Sequence, residues 1–492
     1  MNSNVGATHK EKNIYLWLTK FTNRNKKPEK TFCGTESRSL RTPSTDTTKH
    51  IATMNHPIRF TTPEEAVKVI KSGDHVHLSS VASVPQILVR AMTARGEAGE
   101  LQHVHIHHLH TEGEALYAVP EMEGIFQLDS FFVGGNVRNI TQQGFADYIP
   151  VFLSETQRLY RDGILPCNVA MIQVSTPDRH GYVSLGTSVD ATLAAVECAD
   201  TVIAVVNRHV PRSFGDSFIH TSQIDLFVED DTPLIEEHFA EPNDLECAIG
   251  RNCAALIEDG ACLQMGIGAI PNAVLSQLGS HKNLGVHTEM FADGVLPLVE
   301  SGVINGANKK IDKGKMVSTF LMGSHRVYDF IDNNPGVLMK DVGYTNDPFV
   351  IAQNPKVTAI NSALQIDLTG QICADSLGTR FYSGVGGQGD FIYGASRSEG
   401  GKAIVAMPSV TNKGISKIVP VLAEGAGVVT TRAHVHWIVT EHGAVNLYGK
   451  SLQERARLLI SIADPASREE LDRAAFERFG PHHHYIKSRC GI

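Results

Sequence analysis

A chain of 492 residues, 42% of them hydrophobic, is longer than one core usually organises, so two domains are expected. Residues 1–53 hold ten Lys and Arg against four Asp and Glu, a surplus of +6, so the total of −9 leaves −15 on the remainder and no basic stripe. That balance argues against a nucleic-acid-binding body and confines any phosphate site to a local pocket.

Eight cysteines are scattered without a C-x-x-C pair, which reads as the reduced thiols of an intracellular protein rather than disulfides or a zinc site. The longest apolar runs, such as residues 201–206, fall far short of the roughly 20 residues that span a membrane, so no membrane partner is expected. Residues 1–53 are too polar to build a core. Their basic, Ser-rich composition suits a mitochondrial transit peptide, but Glu11, Glu29, Glu36 and Asp46 do not, and a start at Met54 is the competing reading. The first places the protein in the mitochondrial matrix, the second in the cytoplasm.

From Thr62 the chain becomes regular. Thr62-Pro63-Glu64-Glu65 opens a capped helix closed by Gly73, residues 75–78 alternate as a strand, and residues 85–93 form a second helix. Residues 101–110 carry five histidines separated by Val104, Ile106 and Leu109; this is a strand pattern, and metal ligands would have to converge from several elements, so no metal is expected. Strands follow at 168–174 and 201–206 with a helix at 192–198 between them. The polar loop 206–216 contains Arg212, which either meets a substrate carboxylate or phosphate or forms a surface salt bridge.

The charged, proline-punctuated stretch 229–244 reads as a linker between an N-terminal domain, 54–240, and a C-terminal domain, 241–492. A helix at 245–257 precedes a buried strand at 261–265, the turn Gly266-Ile267-Gly268-Ala269-Ile270, and a helix beginning at Pro271. Strand, glycine turn and helix start leave unpaired N–H groups pointing outward, an anion cradle. A proline where a dinucleotide fingerprint needs its third glycine argues against nicotinamide. Glu289, in His287-Thr288-Glu289-Met290, stands at the end of a short strand followed by a turn. A second glycine turn, Gly384-Val385-Gly386-Gly387, comes later. Residues 443–451 resemble a P-loop but have one residue too many between the glycines, 451–462 and 467–479 are helical, and His482 to Tyr485 reads as a tail. No G-x-S-x-G elbow occurs, which counts against a serine thioesterase. The alternation throughout predicts two open α/β domains on largely parallel sheets.

Taken singly, a Glu beside a turn is ordinarily a solvated charge, and lone glycine turns are common. Together, however, residues 266–275, 287–294, 360–371, 384–391 and 439–449 resemble the acetyl-CoA hydrolase/transferase family, most of all its 4-hydroxybutyrate and butyrate CoA-transferase branch. The likeness runs from about Asn55 to Phe479. It implies an active site between the domains, in which Glu289 is the nucleophile and forms a glutamyl-CoA thioester. Backbone amides near Ile267 and Gly384 would face the oxyanion, and Gly266 to Ile270 with Gly384, Gly386 and Gly387 would line the coenzyme A site. Asn361, Glu441 and Arg212 would support the pocket, a purely structural role being the alternative. The implied reaction moves CoA between small carboxylic acids, or hydrolyses acetyl-CoA if water takes the acceptor's place. No metal or permanently bound cofactor is implied, and a homo-oligomer is.

Overall fold

The computed structural model describes residues 58–480, so the stretch 1–53 and the tail at His482 lie outside the described residues. The larger of two open sheets has eight strands, in the order Phe60–Thr61, Leu226–Asp230, Thr201–Asn207, Val169–Val174, His75–Leu78, Val104–His107, Phe126–Ser130 and Ala146–Tyr148. Every neighbouring pair is parallel. Two of its inner strands, Val169–Val174 and Thr201–Asn207, are largely apolar without alternation because both faces are covered; Val169–Val174 is buried at every position. The smaller sheet has six strands, Gly285–Val286, Cys262–Met265, Val357–Asn361, Lys402–Ala406, Trp437–Thr440 and Gly443–Asn446, and only the last pair is antiparallel. The expected α/β class with largely parallel sheets is what the chain adopts.

The stretch expected to link two domains starts later than its charges suggest. Glu229 and Asp230 close an edge-side strand of the larger sheet, and irregular chain then runs to the helix Asp244–Ala254. Nor do the two sheets keep separate cores. One buried apolar cluster joins Ile172 and Val206 of the first to Leu263, Val286 and Ile404 of the second. A small parallel sheet pairs Phe214–Gly215 with Val337–Met339, so each half contributes backbone to the other.

The first helix is shorter than its caps imply. Thr62 does cap it, accepting the Glu65 N–H at 3.2 Å, but Pro63–Ala66 gives way to a 3₁₀ turn, Val67–Val69. Arg95 takes the carbonyls of Val67 and Ile70, which ends the helix there and turns the chain into the strand His75–Leu78.

The histidine strand pairs in register with its neighbour, His75 beside His105 and His77 beside His107. Its polar face is not a solvated one. His77 and His107 are buried, the His75 ring stacks between His105 and His107 at 4.4 and 5.0 Å, and no group of three or more metal-ligating side chains converges among the described residues. His107 Nδ1–H donates to the Asp129 carbonyl, so its Nε2 accepts from His75 Nδ1 at 2.7 Å. His77 is held between Tyr160 and Thr192. Burial pushes His77 and His108 down to about 3 and His107 to about 4. Unfolded histidine takes its proton near 6.5, so below that pH the unfolded chain binds more protons and stability falls, each ring removing up to about 1.4 kcal/mol per pH unit. These three rings should therefore leave stability level between pH 8 and 7 and lower it between pH 6.5 and 5. They outweigh the two buried acids held near 7, Glu289 and Asp390, which raise stability as pH falls, so the melting temperature should drop between pH 6.5 and 5. A melting temperature that does not fall over that range would mean that these rings accept protons in the folded state.

Candidate active site

In the smaller sheet the chain passes from Cys262–Met265 to Gly285–Val286 on one side and later returns to Val357–Asn361 on the other. The crevice at the carboxyl ends of these strands is a topological switch point, the place where open parallel sheets bind ligands. From Met265 the chain turns through Gly266, Ile267 and Gly268 into the helix Ala269–Ser276. Gly268 has φ +106°, a backbone conformation that side-chain-bearing residues rarely adopt. The helix opens two residues earlier than Pro271 suggests, since a missing N–H is tolerated throughout the first turn.

Glu289 stands at a bend between the strands Gly285–Val286 and Met290–Phe291, not at a strand end followed by a turn. The second of these strands exists because it pairs with Phe320–Leu321, a partner distant in the chain. The Glu289 carbonyl accepts the Ser318 hydroxyl at 2.9 Å and the N–H groups of Thr319 and Phe320 at 3.1 and 3.3 Å. Thr288 Oγ1 accepts the Met265 N–H at 3.2 Å, tying the bend to the first glycine turn. The main chain under the carboxylate is thereby fixed.

The carboxylate itself meets two donors. Asn346 Nδ2 lies 2.9 Å from Oε2, and the Gly387 N–H also donates to it. A methyl group on Gly387 would overlap Oε2, so only glycine lets the second turn approach this closely. Asn346 is fully buried and follows Thr345, whose carbonyl accepts His287 Nε2–H at 2.8 Å. Burial pushes His287 down to about 4, so the ring is neutral and acts as a donor. The second glycine turn is clamped from the first half of the chain: the Val385 N–H donates to the Tyr148 hydroxyl at 3.0 Å, and Phe132 packs against Gly384. Burial raises Glu289 to about 7; the Asn346 and Gly387 donors pull it down, and the charge of Asp390 pushes it up.

A cavity of about 230 Å³ lies between the two turns, and Glu289, part-buried, is the one ionisable side chain among the described residues that line it. Gly266, Ile267 and Ile270 form one wall, and Gly384, Gly386 and Gly387 another. Gly268 and Ala269 are not in the wall; they shape the turn and start the helix behind it. Asn361 reaches the cavity and donates to Gln264 Oε1 at 3.1 Å. Glu441 does not: it accepts the N–H and hydroxyl of Ser409 and holds the loop after Lys402–Ala406. Arg212 takes the salt-bridge alternative, 2.7 Å from Asp178 and stacked on Phe218, away from the cavity. Sequence reasoning missed Asn346, Phe132 and Tyr148, whose partners are distant in the chain. Asp390 left one trace, an acid inside the apolar start of Gly389-Asp390-Phe391-Ile392.

A desolvated carboxylate with fixed donors at its back and an open face toward a cavity can attack an electrophilic carbonyl. The chain is similar to proteins named for reactions of coenzyme A thioesters. Residues 45–236 match the acetyl-CoA hydrolase/transferase N-terminal domain and residues 323–475 the C-terminal domain of the same family, the first match beginning inside the stretch 1–53 that the motifs had left out. The chain is 49% identical over 418 residues to the succinyl-CoA:acetate/propanoyl-CoA:succinate CoA transferase of Fasciola hepatica, covering 84% of this chain and 87% of that one. It is 47% identical over 422 residues to the 4-hydroxybutyrate coenzyme A transferase of Clostridium kluyveri, covering 86% and 98%. The crystal structure of RipA from Yersinia pestis matches with a TM-score of 0.82 at 36% identity, covering 86% and 98%.

Proposed function

The chain belongs to the acetyl-CoA hydrolase/transferase family, and from that premise we propose that it transfers coenzyme A between carboxylic acids, acetate being one and a 4-hydroxybutyrate-, butyrate- or succinate-type acid the other. The observation that carries this reading is the cavity in which Glu289 is the one ionisable side chain among the described residues that line it. At about 230 Å³ it has room for the reacting end of an acyl-CoA rather than the nucleotide.

Glu289 attacks the acyl-CoA carbonyl, and collapse of the tetrahedral intermediate expels CoA thiolate and leaves an acyl-glutamyl anhydride. The thiolate returns to the glutamyl carbonyl, forming glutamyl-CoA and releasing the first acid as its carboxylate. An acceptor carboxylate attacks glutamyl-CoA, giving a new anhydride and thiolate, and the thiolate then takes the new acyl group and frees Glu289. Each intermediate keeps the activation of the thioester, so no ATP is needed. The oxyanions are met by backbone N–H groups near Ile267 and Gly384, on opposite walls; losing one such donor costs about 2.7–4 kcal/mol. Hydrolysis uses the same residues with water in the acceptor's place, and acetate-dependent turnover separates the two.

Incubation with acetyl-CoA and no acceptor, followed by digestion and mass spectrometry, should place a CoA adduct, or an alcohol after borohydride reduction, on the Glu289 peptide. An adduct on a cysteine, with Glu289→Ala still active, would overturn the assignment.

A further inference from the structure

A second buried carboxylate lies near Glu289 and does not line the cavity. Asp390, in the first turn of the helix Gln388–Arg397, is 5% exposed. Its Oδ2 accepts the Ser154 N–H at 3.1 Å and its Oδ1 the Ser154 hydroxyl at 2.8 Å. Ser154 belongs to the 3₁₀ turn Leu153–Glu155 in the first half of the chain. Asn346 Nδ2 donates to Glu289 Oε2 at 2.9 Å, and the same side chain lies close enough to Asp390 to favour its charged form. An amide nitrogen carries two hydrogens, so one Asn346 can serve two carboxylates at once.

We propose that Asp390 is a positioning residue for the exchange reaction, holding Asn346 against Glu289 and setting the charge state of Glu289 without touching the substrate. The proposal rests on Glu289 being the nucleophile. Two acids sharing one amide in a desolvated site do not ionise independently, and the first to lose its proton makes the second harder to ionise. Burial is the main cause that drives both toward about 7. The other titratable groups nearby are Glu155, which adds to the repulsion on Asp390, His434, and neutral His287 two residues before the nucleophile. Asp390, Glu155 and His434 border a separate cleft of about 500 Å³. The link from Ser154 through Asp390 and Asn346 to Glu289 also makes the nucleophile sensitive to the seating of the first half on the second.

The test is the pH dependence of kcat/KM in Asp390→Asn, whose acidic limb reports the ionisation of the free enzyme. Removing the neighbouring charge should move that limb to lower pH by about one unit. KM for acyl-CoA should change little, and kcat at pH 8 should fall about tenfold as the amide loses its anchor. Ser154→Ala is the second variant. It takes one donor from Asp390, keeps that acid neutral over a wider range, and should shift the limb in the same direction by less. A limb that stays in place in both variants, whether activity is full or uniformly reduced, overturns the proposal and leaves Asp390 a structural acid. Adduct mapping on the wild type separates the two readings: no Glu289 adduct would defeat the nucleophile assignment, whereas an adduct with an unmoved limb would defeat this inference alone.

Discussion

Glu289→Gln should lose CoA transfer by roughly 10⁴-fold or more, the scale on which removing a covalent nucleophile acts, and should still melt a few degrees above the wild type at pH 8. The loss follows because a neutral amide is a poor nucleophile toward a thioester. The gain follows from linkage. Burial holds the folded-state pKa of Glu289 at about 7 against the ordinary 4.5, so between those values the folded chain keeps a proton that the unfolded chain has released. The stability contributed by this group is fully present below about 4.5 and is lost as pH rises through about 7, so at pH 8 the wild type carries the whole penalty of a desolvated charge. Glutamine has the same shape. Its carbonyl oxygen can take the place of Oε2 beside Asn346 Nδ2 and the Gly387 N–H, with its NH₂ turned into the cavity. Turnover assays with melts at pH 5 and pH 8 check both halves. The stability difference should shrink toward zero at pH 5; a variant that melts lower at both pH values would mean that the carboxylate is stabilised by its donors, and wild-type turnover would place the nucleophile elsewhere.

What the sequence discloses is what local pattern determines. Val169–Val174, apolar but for Gln173, and Thr201–Asn207, apolar from Val202 to Val206, lack strand alternation because both faces of a parallel sheet are covered, so the class and several of the inner strands were readable. The two glycine turns were readable because backbone freedom at Gly268 and close approach at Gly387 have a composition. The bend at Glu289 was not. It depends on Met290–Phe291 finding Phe320–Leu321, and a two-residue strand leaves no periodic trace. The donor that grips the Glu289 carboxylate, Asn346, caps the short helix Val342–Thr345, whose place is set by the bond of the His287 ring to the Thr345 carbonyl, a contact between side chain and backbone with no sequence signature. Arg212 and Glu441 lie in stretches that look like family motifs, yet their charges are engaged by Asp178 and Ser409; a motif places a residue in the right loop, while local hydrogen bonds decide where its side chain goes. The histidine stretch was legible as a strand, but not the burial of His107, because alternation does not say whether the polar face meets water or another layer of protein.

Glu289→Asp should change the fate of the intermediate as well as its rate of formation. Shortening the side chain by one carbon–carbon bond withdraws the carboxylate by on the order of 1.5 Å. The oxygen now 2.9 Å from Asn346 Nδ2 would then lie beyond hydrogen-bond reach, and the aspartyl carbonyl would fall short of the N–H groups near Ile267 and Gly384. Transfer in preference to hydrolysis depends on an acceptor carboxylate held where water is excluded, and well-oriented attack can reach effective molarities of about 10⁵ M or more, enough to outrun bulk solvent. A shorter nucleophile loses that orientation and opens a gap in front of the thioester. Transfer should fall by about 10² or more, since a misplacement of about 1 Å already has that effect. Hydrolysis, which asks less of orientation, should fall less. The quantity to measure is the ratio of acceptor-CoA formed to free CoA released at saturating acetate, in the wild type and in Glu289→Asp. An unchanged ratio would place the exclusion of water elsewhere in the cavity, and a wild type that releases only free CoA would make the protein a hydrolase.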